Sequence, residues 1–285
     1  MSEIIKGNRP ASMPNDFRLT LTSGTAVPTT DVTGATTIYA TPYTGNWISL
    51  YNGTNWVNYA SAEFSLAIGT LTNAKLYDVF CYANSSGIPT LEFLVWTNDT
   101  TRATAIAYQN GIAVKSGDTT RRYMGTFYTT AATTTEDSEN NRYLWNMNNR
   151  VGRKMYKDNG ATGTWTYTTA VFRQANADAT YQLNFIIGLS EDIVVAQGTV
   201  ESSNTTAIVR RISGLGLDST TTTEGTSVFT RDGQTPGTGQ CSHLTVYSGF
   251  PGVGKHYIAL LEFSVATGTT SWLIATSGLT GIINA

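Results

Sequence analysis

Histidine, cysteine and charge are scarce in this chain of 285 residues, and each scarcity excludes a class of chemistry. The two histidines are His243 and His256, so imidazole acid–base work has only the C-terminal stretch to draw on. Two cysteines, Cys81 and Cys241, do not make a disulfide framework. Both are expected free and buried or half-buried, with a single bridge left open. Charged residues make up 13% of the chain, against roughly 25% in an average domain. The net charge of −2 and pI near 5.7 give no electrostatic footprint for nucleic acid. No apolar run is long enough for a membrane-spanning helix, so no membrane insertion is expected. The opening "MSEIIKGNRPASMPNDF" has no basic region followed by an apolar one, and no signal peptide is expected.

Threonine takes over the polar role, at about one residue in six. It is β-branched and suits a pleated, half-exposed surface. With 27 Gly and 15 Tyr, this composition describes strands and many turns. From residue 18 to about 130, strand-like runs recur every 8–12 residues, among them "NWISLYNG", "LYDVFCYA", "TLEFLVWT" and "RRYMGTFYTT". In "LYDVFCYA", Tyr77, Val79 and Cys81 face one way, and Leu76, Asp78 and Phe80 the other. "QNG" at 109–111 and "KSGD" at 115–118 signal tight turns. Residues 136–150, "EDSENNRYLWNMNNR", read as a short helix capped by Asp137 or Ser138. The basic, glycine-bearing stretch 151–163 reads as a linker, and strands resume at 164. The expected fold is all-β: two sandwich- or jelly-roll-like modules, 18–150 and 164–285, behind an irregular arm, 1–17. The run 218–227, "DSTTTTEGTS", is a low-complexity loop.

The stretch "LTVYSGFPGVGKHYIALLEF", residues 244–263, has the G-x-x-x-x-G-K spacing of a phosphate-binding loop at Gly249, Gly254 and Lys255. His256, however, stands where that loop needs a hydroxyl for Mg²⁺. The loop must also open a helix, whereas "HYIALLEFSVATGTTSW" is rich in aromatic and β-branched residues and reads as a strand. Gly249, Pro251, Gly252 and Gly254 are therefore expected to shape a turn between strands. Cys241, His243 and His256 are the only zinc candidates, and no carboxylate or further Cys stands at ligand spacing, so no metal or cofactor is expected. No G-x-S-x-G elbow occurs, and a Ser-His-Asp set would have to recruit Asp218 or Asp232. The acid clusters Glu136, Asp137, Glu139 and Glu191, Asp192 could serve a glycosidase, but both flank turn-like segments where acids are ordinarily solvated. No catalytic residue is assigned and no enzyme is expected. In Arg121–Arg122 and Arg210–Arg211, strand geometry turns one arginine of each pair inward. An inward arginine needs a carboxylate or carbonyl partner, and a subunit interface is one place to find it. These four, with Trp145 and Arg150, form the candidate interface set.

The string "WTNDTTRATAIAYQNGIAVKSGDTTRRYMGTFYTTAATTTEDSENNRYLWNMNNRVGRKM" resembles a module of virion-associated structural proteins of tailed bacteriophages and prophages. "LTLTSGTAVPTTDVTGATTIYATPYTGNWISLYNGTNW" belongs to the same module. "WTYTTAVFRQAN", "GLGLDST" and "GFPGVGKHYIALLEFSVATGTTSW" are similar to an extension found behind it. The resemblance covers about residues 18–285 and carries no catalytic residues. It implies a fibre- or spike-like component, made in the bacterial cytoplasm and exposed on the virion. A homotrimer is expected, with other head or tail proteins and a host-surface glycan as partners. The arm would dock it to the particle through Ile4, Ile5, Lys6, Arg9 and Met13. Its rivals are a capsid decoration protein, a carbohydrate-binding module and a depolymerase.

Overall fold

β-branched and aromatic residues at alternating positions hold this backbone extended, and the chain is all-β. The computed structural model describes residues 13–158, 163–206, 209–224 and 240–285, without the side chains of 274–276. Among the described residues the only helical element is a 3-10 turn at Ala175–Ala177. The turn signals act as their chemistry requires. Asn110 (φ 53°) and Gly111 (φ 82°) join strands Ile106–Gln109 and Ile112–Lys115 into a hairpin. Gly117 (φ 82°) makes the next reversal, into the long strand Asp118–Ala131.

The C-terminal half is a sandwich. Strands Gly152–Asp158, Thr164–Thr166, Val194–Asn204, Gln240–Gly249 and Thr270–Asn284 make a five-stranded sheet. It packs its Met155, Val194, Ala196, Tyr247, Trp272 and Leu279 against Leu183, Phe185, Leu215, Ile258 and Leu260 of the facing strands. In the N-terminal half, Phe17, Leu19, Ile38, Ala40, Ile48 and Leu50 come from two small sheets. They cover Val79, Cys81, Leu91, Met124 and Phe127 of the large sheet. A third core joins the halves: Phe80, Trp96, Tyr123, Tyr143 and Trp145 pack with Ile186 and Ala285. The large sheet also runs through from half to half. Its link is a parallel pairing of Asn141–Arg142 with Asn184–Phe185.

Three sequence expectations need correction. Residues 136–150 are not a helix but short strands, Asn141–Arg142 and Leu144–Asn146. Their asparagines take the place of backbone rungs. The Asn146 side chain accepts from Leu19 N–H (2.6 Å) and donates to the Leu19 carbonyl (3.2 Å). Asn149, at φ 55°, donates to the carbonyls of Asn15 and Phe17. The stretch 151–163 is not simply a linker, because Gly152–Asp158 is a strand registered along Gly278–Asn284. Nor does the arm stand clear of the fold up to residue 17. Asp16 N–H donates to the Trp47 carbonyl, Ser49 N–H to the Pro14 carbonyl, and Phe17 is 1% exposed in the core. The two-faced reading of "LYDVFCYA" also needs a sharper form: Leu76–Cys81 is buried on both faces, with Tyr77, Val79 and Cys81 in the core of the N-terminal half and Leu76 and Phe80 in the shared one.

Candidate functional site

The glycine-rich segment joins strands Gln240–Gly249 and Gly254–Phe263, but not as a hairpin. The first strand pairs with Val194–Asn204, the second with Gln182–Ile187 in the facing sheet. Residues 250–253 therefore carry the chain between the two layers of the sandwich, and a strand comes directly after them. Gly254 has φ +144°, and a Cβ there would lie 2.5 Å from the Asp99 carbonyl oxygen. Lys255 N–H donates to that same carbonyl (2.8 Å). The Lys255 ammonium lies 4.6 Å from the Tyr128 ring centre. The residues that imitate a phosphate loop thus grip the N-terminal half.

The candidate arginines have partners within their own chain. Arg121 pairs with Glu92 (2.9 Å) and lies over the Tyr82 ring (3.8 Å). Arg122 points the other way, is 2% exposed, and donates to the Pro14 and Ser49 carbonyls at 2.8 and 2.9 Å. Burial lowers its pKa to about 10, which leaves it protonated at neutral pH. Arg150 covers the buried Trp145 ring and reaches Glu191 (2.6 Å) and Asp192 (3.0 Å). Arg211 is buried, and Arg210 is exposed over Phe263. Met13 is half-buried, whereas Ile4, Ile5, Lys6 and Arg9 lie outside the described residues.

The strongest constellation went unseen in the sequence. Arg102 donates to both Asp78 oxygens (2.8 and 3.2 Å), to the Tyr123 hydroxyl (3.0 Å) and, across the junction, to the Gly188 carbonyl (2.7 Å). Its guanidinium also lies 4.2 Å from the Trp96 ring centre. Burial pushes the Asp78 carboxyl up, and Arg102 and the Thr126 hydroxyl pull it back. A second frame surrounds Asp137, which binds Arg142 (3.3 Å) and Arg153 (3.0 Å). Beside it, Arg18 donates to the carbonyls of Ala26, Asn149 and Ala285, tying the first described strand to the last. Burial lowers Arg18 to about 10. The one available signal was Asp78 itself: a carboxylate alternating with Leu76 and Phe80 demands a cation.

Four of the five candidate acids are similarly occupied, and the fifth, Glu136, accepts from the Ser138 hydroxyl (3.3 Å). Asp137, Glu139, Glu191 and Asp192 are each held by an arginine or lysine. His243 pairs with the Ser202 hydroxyl (2.7 Å) and His256 with Asp218 (2.8 Å), so hydroxyl and carboxylate sit on different imidazoles. Among the described residues no group of three His, Cys, Asp or Glu could hold a metal ion. Cys81 and Cys241 are both free, and burial pushes the Cys81 thiol up to about 12.

His243 gives a pH dependence. Burial, reinforced by Arg211, lowers its pKa to about 4, below the ordinary 6.5. The unfolded chain therefore binds this proton first as pH falls. Stability from the neutral imidazole is complete above 6.5 and is lost progressively towards pH 4, by about 3 kcal/mol in all. Urea unfolding at pH 7 and pH 4.5 should show the wild type losing more stability than His243→Gln. Equal losses would remove His243 as the cause.

No family model matches the chain, and no curated protein matches it. The chain shows a distant likeness to several solved structures. One is from the infectious bursal disease virus Gx strain, with 9% identity and TM-score 0.33, covering 97% of this chain and 74% of that one. Another is a glycoside hydrolase family 43 arabinoxylan arabinofuranohydrolase from Bacillus subtilis, with 13% identity and TM-score 0.25, covering 94% and 53%. A third is the insecticidal delta-endotoxin Cry8Ea1 from Bacillus thuringiensis, with 8% identity and TM-score 0.23, covering 88% and 49%. Likeness at these TM-scores carries no argument about fold or function.

Proposed function

We propose that this chain is a structural component of a virus particle: an oligomeric, trimeric fibre- or spike-like part of a tailed-phage virion. The observation that carries the reading is the use of the buried ionised groups. Arg102, Arg18 and Arg153 each hold one segment of the chain to another that is distant in sequence, and the half-buried Arg150 adds a tie to Glu191. The result is a cross-braced body, which suits a load-bearing appendage. The resemblance of residues 18–285 to virion proteins supplies the particle.

Docking is assigned to the arm, shortened to residues 1–12 because 13–17 belong to the fold. Deleting 1–12 should leave a folded oligomer, with wild-type circular dichroism, that is missing from purified particles. Normal incorporation of that truncation would refute the docking assignment.

A second reading, contact with a host-surface glycan, is favoured by the loop 43–47. Tyr43 and Trp47 are 46% and 47% exposed there. Asp16 fixes the loop by accepting from Trp47 N–H (3.0 Å), and its carboxylate occupies the space a side chain at Gly45 would need. Sugar faces stack on rings displayed this way. Trp47→Ala should weaken adsorption to cells without changing incorporation; unchanged adsorption would end this reading.

A further inference from the structure

The five-stranded sheet of the C-terminal half has one face on the sandwich core and one outside. Outward-pointing residues follow from the register. Lys154, Ile282, Val195 and Ser248 form one row across four strands; Tyr156, Thr280, Gln197 and Val246 form the next; Gly278, Thr199 and Leu244 continue it. Where Val194 pairs with Gly249, the chain continues into Ile193 and Phe250 beside each other. Of the twelve exposed large hydrophobics of the described chain, six lie on this face or its end: Tyr156, Ile193, Val195, Leu244, Phe250 and Ile282. Val195 and Ile282 are direct cross-strand neighbours, 43% and 57% exposed. Of the other six, Tyr43 and Trp47 share the loop 43–47, and Ile88, Val95, Tyr108 and Val171 lie apart from one another in sequence.

We propose that this outer face is the surface on which copies of the chain assemble. The inference rests on the oligomeric reading above and gives it a location. Three observations select a second copy as the occupant. The area is right: four strands about 4.8 Å apart and some ten residues long at about 3.4 Å rise present roughly 650 Å². Stable interfaces bury roughly 600–1,000 Å² per partner, and this face falls within that range. Ionised side chains are few on the face: among the described residues Lys154 and Asp158 stand on its edge strand, and Glu201, towards the far end of the inner strand Val194–Asn204, accepts from the Ser242 hydroxyl (3.3 Å). Lys154 is already paired with Glu139 (3.0 Å), so closing the face buries no lone charge at its centre. The residue types also fit a self-contact, since Thr280, Gln197, Thr199 and Ser248 carry groups that both donate and accept and can meet their own kind. In a closed trimer this face of each copy turns towards the shared axis, where such groups pair with different rows of the neighbouring copy.

Sedimentation velocity over a wide concentration range tests this with the full chain, using Ile282→Glu and, on a neighbouring strand, Leu244→Glu. The control is Ile88→Glu, 55% exposed on a turn of the other half. Circular dichroism establishes that each variant is folded. The wild type and Ile88→Glu should be oligomeric, and both sheet variants should associate at least a hundredfold more weakly. Oligomers unchanged in both sheet variants would overturn the assignment of the face while leaving the oligomeric reading intact. Dissociation by Ile88→Glu to the same degree would overturn it too. A wild type that stays monomeric throughout would overturn both.

Discussion

Replacing Arg102 with Met should destabilise the protein by about 3–5 kcal/mol, because it strips a buried carboxylate of its cation. Asp78 is 1% exposed and cannot recover water. The same change removes the donor to the Gly188 carbonyl and the cation held between Trp96 and Tyr123. The cost is therefore expected at the joint between the halves as well as at Asp78. A cycle separates charge from packing. Asp78→Asn alone should also destabilise, since Arg102 then lies beside a neutral amide. The double variant Asp78→Asn/Arg102→Met should lose less than the sum of the singles, by about 1–3 kcal/mol. Chemical denaturation of the four proteins is the measurement. Additive losses would mean that the pair is not coupled and that Arg102 acts through its carbonyl and ring contacts alone.

The second large effect is expected at Gly254. Ala there must adopt φ +144°, a region reserved for glycine, and place its Cβ 2.5 Å from a backbone oxygen that cannot swing away. Strain and overpacking together should cost about 3 kcal/mol or more. Gly252 is the internal control. Its φ is +96°, but nothing lies within 4 Å of a built Cβ, so Gly252→Ala should cost about 1 kcal/mol. Lys255→Ala removes a cation over Tyr128 and should cost about 1 kcal/mol or less. A phosphate loop would reverse the order of importance, with Lys255 dominant in nucleotide binding. Equal melting temperatures for Gly254→Ala and the wild type would contradict the clamp on Asp99.

Much of the strand and turn pattern was legible because its signals are local. "QNG" announces a reversal in any context, and the alternation of Tyr77, Val79 and Cys81 needs only a strand to be read. The asparagine-rich segment misled for the opposite reason. Asn146 and Asn149 act on Leu19, Asn15 and Phe17, more than a hundred residues earlier, and nothing local says that side chains will complete those rungs. In 152–158 the alternation was present, with Arg153 and Met155 inward and Lys154 and Tyr156 outward. Its basic character hid it, because the buried Arg153 finds its partners outside the segment, in Asp137 and the Pro28 carbonyl. Arg121 and Arg122 turn to opposite sides as the alternation requires, and Glu92 receives the one while the Pro14 and Ser49 carbonyls receive the other. The Arg102 frame was the least legible part, since it is assembled by the meeting of two halves. Only Asp78, among apolar neighbours, pointed to it.

The central claim is that this chain is built into a virus particle as a projecting structural part. Gold-labelled antibody against the chain, viewed on intact phage particles by electron microscopy, tests it most directly. Label is expected on fibres or spikes that stand out from the particle. Label spread evenly over the head would move the chain to capsid decoration. Absence of label from every particle, with the antibody shown to bind the purified protein, would contradict the claim.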